Sequence, residues 1–229
     1  MALSGTRSFA WRLYVILDPA AAGGRDLREL ATAALRGGAD VLQLRDKRGS
    51  VREILREAAR ILPLARGAGI PLLLNDRPDL AAAAGADGVH LGQDDLPVAD
   101  ARRLLGPAAI IGTSTHSLEQ AQAALEEPVD YIALGPIFAT PTKPNYGHVG
   151  LDLIRPVVAQ ARCPVVCIGG IELATLDHVL EAGASCVAVV RAVCAAADPE
   201  AAARRLKSRL THVQAADLNR TPGSGTIAA

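Results

Sequence analysis

The feature that most constrains this chain is a regular exchange between short β-rich runs and longer segments of helical spacing. The runs are LYVILD (13–18), VLQLRD (41–46), PLLLND (71–76), GVHLG (88–92), AIIGTS (109–114), YIALG (131–135), PVVCIG (164–169) and CVAVVR (186–191). Between them, stretches such as VREILREAARILPLARGAG and ELATLDHVLEAGA carry apolar residues at helical spacing and glycine where a helix stops. GGADVLQL, AGADGVHL and AGASCVAV repeat one passage from helix end to strand. A repeat of roughly 25 to 30 residues is one βα pair. Eight such pairs in 229 residues predict an α/β fold, a parallel eight-stranded (β/α)8 TIM barrel. A doubly wound sheet usually has fewer strands and a GxGxxG turn after its first, and LDPAAAGG is no such turn.

Residues 1–210 are expected to form this single domain, while from Thr211 periodicity fades and NRTPGSGTIAA ends the chain, so 211–229 reads as a disordered tail. With 50% hydrophobic but only 3% aromatic residues, the core must be mainly aliphatic. The 24 basic residues balance the 24 acidic ones, which removes the broad positive field of a nucleic-acid or anionic-membrane binder. No apolar run approaches the roughly 20 residues of a membrane span, and the N-terminal apolar run is too short for a signal peptide. A cytoplasmic location is expected. Cys163, Cys167, Cys186 and Cys194 lie in apolar surroundings without CxxC spacing and read as buried thiols.

In VLQLRDK, alternation sets Gln43, Arg45 and Lys47 on one side of a strand and Leu42, Leu44 and Asp46 on the other. A barrel strand is covered outside and packed inside, so the polar set should climb toward the C-terminal rim, where such folds hold their chemistry. A solvated edge strand is the plainer alternative. The other exits offer Asn75 and Asp76; Gln93, Asp94 and Asp95; Thr113, Ser114 and His116; Thr140, Thr142 and Lys143; then Gly169 and Gly170, followed by Val190 and Arg191. Each has an ordinary use as well. Asp76 or Asp95 could cap the next helix, His116 could sit at a helix start, the threonines could form turns and Lys143 could be a solvated charge.

By chemistry the set divides in two. Arg45, Lys47, Lys143, Ser114 and glycine amides are phosphate partners, and Asp76 and Asp95 are hard oxygen donors suited to Mg²⁺. A diphosphate with Mg²⁺ fits both halves, and the barrel's common phosphate site would add a monoester phosphate at Gly170, Val190 and Arg191. No nucleophile–base pair emerges, since Ser114 has only His116 near it in sequence.

The motifs QLRDK (43–47), ND (75–76), HLGQDD (90–95), GTSTH (112–116), GPIFATPTK (135–143) and IGGI (168–171) resemble those of the thiamine phosphate synthase family, over about Leu13 to Leu210. The resemblance implies a transferase joining 4-amino-5-hydroxymethyl-2-methylpyrimidine diphosphate to a thiazole phosphate. Diphosphate leaves first, the pyrimidine amino group stabilises the methylene cation, and the thiazole nitrogen captures it. It assigns the Gln43, Leu44, Arg45, Asp46 and Lys47 run, Asn75, Ser114 and Lys143 to the pyrimidine diphosphate, with Arg45, Lys47, Ser114 and Lys143 catalytic. Asp76 and Asp95 would hold Mg²⁺, and Thr140, Pro141, Thr142, Gly170, Val190 and Arg191 would receive the thiazole phosphate. The expected partners are these small molecules, with no nucleic acid or membrane; a homo-oligomer is left open. Cys167 stands where the family often has Ala and Arg191 where Ser is usual; the effect of either side chain on the thiazole side is left open. Tyr146 and His148 have no assigned role. Two alternatives stay open: a thiazole tautomerase, whose histidine would correspond to His116, and a non-catalytic phosphate-binding barrel.

Overall fold

The computed structural model describes residues 9–139 and 147–218, with side chains to residue 212. Its strands are β1 (Leu13–Leu17), β2 (Val41–Leu44), β3 (Leu72–Asn75), β4 (Gly88–Leu91), β5 (Ile110–Thr115), β6 (Tyr131–Leu134), β7 (Val165–Ile168) and β8 (Cys186–Val189). Each pairs in parallel with the next and β8 returns to β1, giving the closed barrel expected from the alternation. The helices are α1 (Pro19–Ala22), α2 (Leu27–Arg36), α3 (Val51–Gly67), α4 (Pro78–Ala84), α5 (Val98–Leu105), α6 (Leu118–Leu125), α7 (Ile154–Gln160), α8 (Leu176–Glu181), α9 (Arg191–Cys194) and α10 (Pro199–Leu218). Local chemistry explains where they begin. Ser50 and Glu53 close a capping box at the start of α3, and the Asp26 carboxylate accepts from the first amides of α2.

Alternation along the strands separates two apolar regions. Leu13, Val15, Leu17, Leu42, Leu44, Leu72 and Leu74 face outward into a large aliphatic layer beneath the helices. The opposite parity turns Tyr14, Ile16, Val41, Leu73, Ile110, Tyr131, Val166, Cys186 and Ala188 into the barrel, where Trp11 joins them. The aliphatic expectation therefore describes the outer layer. Inside, the chain concentrates its few aromatics: Trp11 packs edge-on against Tyr14 and Tyr131 at centroid distances of 6.3 and 5.5 Å.

One boundary moves. Helix α10 continues past Leu210 to Leu218, with Thr211 and His212 bonding back to the Lys207 and Ser208 carbonyls. The segment THVQAADL contains neither Gly nor Pro, so nothing stops helix propagation there. Residues 219–229 lie outside the described residues. No described helix is long and apolar enough to cross a membrane.

Candidate active site

The parity of VLQLRDK is realised in three dimensions. Gln43 is enclosed inside the barrel at 1% exposure, Arg45 emerges into a cavity of about 310 Å³ at the C-terminal mouth, and Lys47 reaches the rim beyond it. The guanidinium of Arg45 is gripped by the Asp18 carboxylate, whose side chain is only 4% exposed. Asp18 follows β1, and its other oxygen caps α1 by accepting from Ala20 N at 2.9 Å. An acid tied to a helix start thus holds the arginine's planar fork at the cavity wall.

Leu44 and Asp46, taken with the same run as ligand contacts, have other tasks. Leu44 is buried among the outward-facing aliphatics. The Asp46 carboxylate accepts from Arg48 N and Gly49 N at 3.0 and 2.7 Å, building the turn that carries the chain away from the rim. Both side chains take the parity opposite to Gln43 and Arg45.

Neither candidate metal carboxylate is used for capping. Helices α4 and α5 start at Arg77 and Pro97 without a side-chain cap. Asp76 instead adopts a left-handed backbone (φ 63°), which side chains with a Cβ seldom accept. Its amide donates to His90 O at 2.8 Å, and Lys47 Nζ lies 2.7 Å from its carboxylate. Asp95 is fixed by Gly92 N, 2.6 Å from its Oδ2, and its carboxylate neighbours that of Asp76. Burial opposes ionisation of both. At Asp76, hydrogen bonds from Lys47 and Asp95 outweigh burial and leave the carboxyl below its usual range. At Asp95, burial and then the neighbouring Asp76 push the carboxyl above it. Neighbouring carboxylates disfavour each other's ionisation, an opposition that a bound cation would relieve.

Ser114, on the inward parity of β5, lines the cavity, and its Oγ lies 2.9 Å from His90 Nε2. The His90 Nδ1 meets the Tyr131 hydroxyl at 2.8 Å. Sequence reading searched strand exits and passed over this histidine, although its place within GVHLG gives it the inward parity. His116 also lines the cavity, with Nδ1 on the Gly135 carbonyl. Asn75 stands beside His90 in the ladder and faces the same space.

Across the cavity, Gly169 and Gly170 follow β7, and Val190 and Arg191 lead into α9. Gly170 has φ 63°, and a Cβ there would meet Phe138 Cβ at 2.7 Å, so backbone alone can form this wall. Cys167 is fully buried on the outward face, and its neighbour Ile168 lines the cavity. Burial pushes the Cys167 thiol up to about 12, which makes it inert. His148 is exposed. Thr140, Pro141, Thr142, Lys143 and Tyr146 lie outside the described residues. The sequence reading also missed Asp18 and Glu172, the latter at the cavity edge.

A closed parallel barrel that gathers an oriented arginine, neighbouring carboxylates and a glycine-walled pocket at its C-terminal mouth has the build of a (β/α)8 enzyme. The sequence profile described as thiamine monophosphate synthase matches residues 13–193. The chain belongs to this family. It is 47% identical over 205 residues to a thiamine-phosphate synthase of Chloroflexus aurantiacus, covering 89% of this chain and 94% of that one. A thiamine-phosphate synthase of Thermus thermophilus is 49% identical over 201 residues, with coverages of 87% and 97%. Among solved structures, the thiamine phosphate pyrophosphorylase of Pyrococcus furiosus superposes with a TM-score of 0.81 at 34% identity, covering 89% of this chain and 97% of its own.

Proposed function

We propose that this barrel carries out its family's reaction, thiamine-phosphate synthesis, as a Mg²⁺-assisted dissociative substitution in which pyrimidine diphosphate loses diphosphate and the thiazole nitrogen takes its place. The observation that carries this reading is the carboxylate pair. Asp76 and Asp95 are held together at one rim, next to Lys47, with one carboxyl pushed toward keeping a proton. Such a pair fits a hard divalent cation, and Asp76 and Asp95 would hold it. Bound there, Mg²⁺ would offset the charge that develops on the departing diphosphate.

The chain's own groups supply the rest. Arg45, aimed by Asp18, offers a fork to phosphate oxygens, while Lys47, Asn75 and Ser114 complete the diphosphate side with Lys143 from the sixth loop. Gln43 faces the pyrimidine. Gly170, Val190 and Arg191 receive the thiazole phosphate, joined by Thr140, Pro141 and Thr142. Preorganised charge of this kind lowers the barrier to leaving-group departure without a covalent intermediate. A Ser–His contact does exist, but the second nitrogen of His90 is held by a phenol, unlike the carboxylate-oriented base of an acyl-transfer triad. The balanced charge supports small-molecule partners, and a cytoplasmic location belongs to the same proposal.

Purified protein incubated with both substrates and Mg²⁺ is expected to release thiamine phosphate and diphosphate in equal amounts. Isomerisation of thiazole carboxylate alone would make it a tautomerase, and bound ligand without turnover would make it a binder.

A further inference from the structure

The cavity floor is connected through the barrel interior by a line of polar side chains. Gln43 Nε2 donates to Tyr14 Oη at 2.7 Å; Tyr14 and Tyr131 hydroxyls lie 3.1 Å apart; Tyr131 Oη meets His90 Nδ1 at 2.8 Å; and His90 Nε2 meets Ser114 Oγ at 2.9 Å. Gln43 and Ser114 are the two ends, and both line the cavity. Gln43 Oε1 is buried without a hydrogen-bond partner among the described residues. An orphaned acceptor in this position costs stability until a ligand N–H reaches it.

Each phenol has one hydrogen to give. Burial holds both ionisations well above the usual tyrosine range, so neither ring supplies a charge in place of that hydrogen. When the Gln43 amide donates to Tyr14, Tyr14 gives its hydrogen to Tyr131 and Tyr131 gives its own to His90 Nδ1. The ring then carries its proton on Nε2 and donates to Ser114 Oγ, which leaves the serine hydrogen to point into the cavity. Turning the amide over reverses every link: Oε1 accepts from Tyr14, His90 Nδ1 becomes the donor, and the serine hydrogen turns back to Nε2.

Packing holds the line in register. The Tyr131 ring stacks on His90 at a centroid distance of 5.6 Å and packs against Trp11 from below. A Cβ on Gly112 would meet the Tyr131 ring at 2.0 Å, so the glycine of GTSTH is what admits the ring.

We propose that Tyr14 and Tyr131 are positioning residues that give this line a single sense at a time, so that a ligand N–H received by Gln43 Oε1 aims the Ser114 hydroxyl hydrogen into the cavity where the diphosphate binds. The inference rests on the reading under Proposed function and deepens it: recognition of an amino group at one wall sets a hydrogen-bond donor at another.

The test uses full-length protein labelled with ¹⁵N-histidine, with the His90 signals identified by their loss in His90→Gln. Two probes without diphosphate are compared, 4-amino- and 4-oxo-5-hydroxymethyl-2-methylpyrimidine, which present a donor and an acceptor to Gln43. His90 is expected to be the Nε2–H tautomer with the amino probe and to shift to Nδ1–H with the oxo probe. In Tyr131→Phe, which keeps the ring and cuts the line, the tautomer should stop following the probe. Synthesis kcat should fall by about tenfold, with a smaller change in KM. Should that variant fail to fold, Tyr14→Phe cuts the line one link earlier and carries the same expectation. A tautomer identical with both probes, or one that still follows the probe in the cut variant, overturns the relay alone. Failure of the amino probe to bind overturns the relay together with the reading it rests on, whereas rejection of the oxo probe alone overturns only the relay, which requires that the Gln43 amide can turn to meet an acceptor.

Discussion

Asp95→Ala is expected to lower Mg²⁺-dependent turnover by about a thousandfold, the scale of losing an electrostatic element that acts on a developing charge. Folding should be nearly untouched. Asp95 caps no helix; its removal forfeits the bond from Gly92 N but relieves crowding with Asp76, so stability should stay within about 1 kcal/mol of the parent. A pH signature separates this from generic damage. Burial and Asp76 raise the Asp95 carboxyl, so in the parent protein Mg²⁺ must compete with a proton as pH falls through that raised value, and metal affinity should weaken on acidification. In Asp95→Ala this contribution is lost. Kinetics at limiting Mg²⁺ across pH, beside a chemical denaturation curve, checks both parts. An unchanged rate at limiting metal would refute the assignment.

Arg45→Met should damage both stability and activity, for separable reasons. Its partner Asp18 has a side chain only 4% exposed, and removing one member of a buried ion pair costs about 3–5 kcal/mol because the remaining charge is uncompensated. Turnover should also fall by about a hundredfold or more through the lost phosphate fork. The double variant Asp18→Asn/Arg45→Met is expected to regain most of the stability, since the stranded carboxylate is gone and Asn can still cap α1. It should regain none of the turnover. Recovery of activity with stability would mean that Arg45 serves the fold alone.

The barrel was legible because its signal is periodic. Eight runs separated by helical segments leave little choice of topology, and every predicted run contains an observed strand. The parity of Gln43, Arg45 and Lys47 likewise carried directly into three dimensions, since alternation is a property of the backbone. What remained hidden depended on contacts between distant strands. His90 looks unremarkable within GVHLG until β5 brings Ser114 against it, and Asp18 draws no notice in LYVILD because its ion-pair partner Arg45 lies on β2's exit, 27 residues away. Capping illustrates the reverse case. From sequence, Asp76 and Asp95 could each have begun a helix; the observed helix starts leave both carboxylates at the rim. Motif membership groups Leu44, Asp46 and Cys167 with neighbours whose side chains the pleat sends to the other face.

The central claim is that carboxylates and cations from separate strands converge on one diphosphate together with its divalent ion. Calorimetric titration of the full chain with inorganic diphosphate, with and without Mg²⁺, tests this directly. Two ligands sharing one site must raise each other's affinity by the same factor, expected here to be at least about tenfold. Diphosphate affinity that is indifferent to Mg²⁺, with Mg²⁺ affinity equally indifferent to diphosphate, would contradict the account.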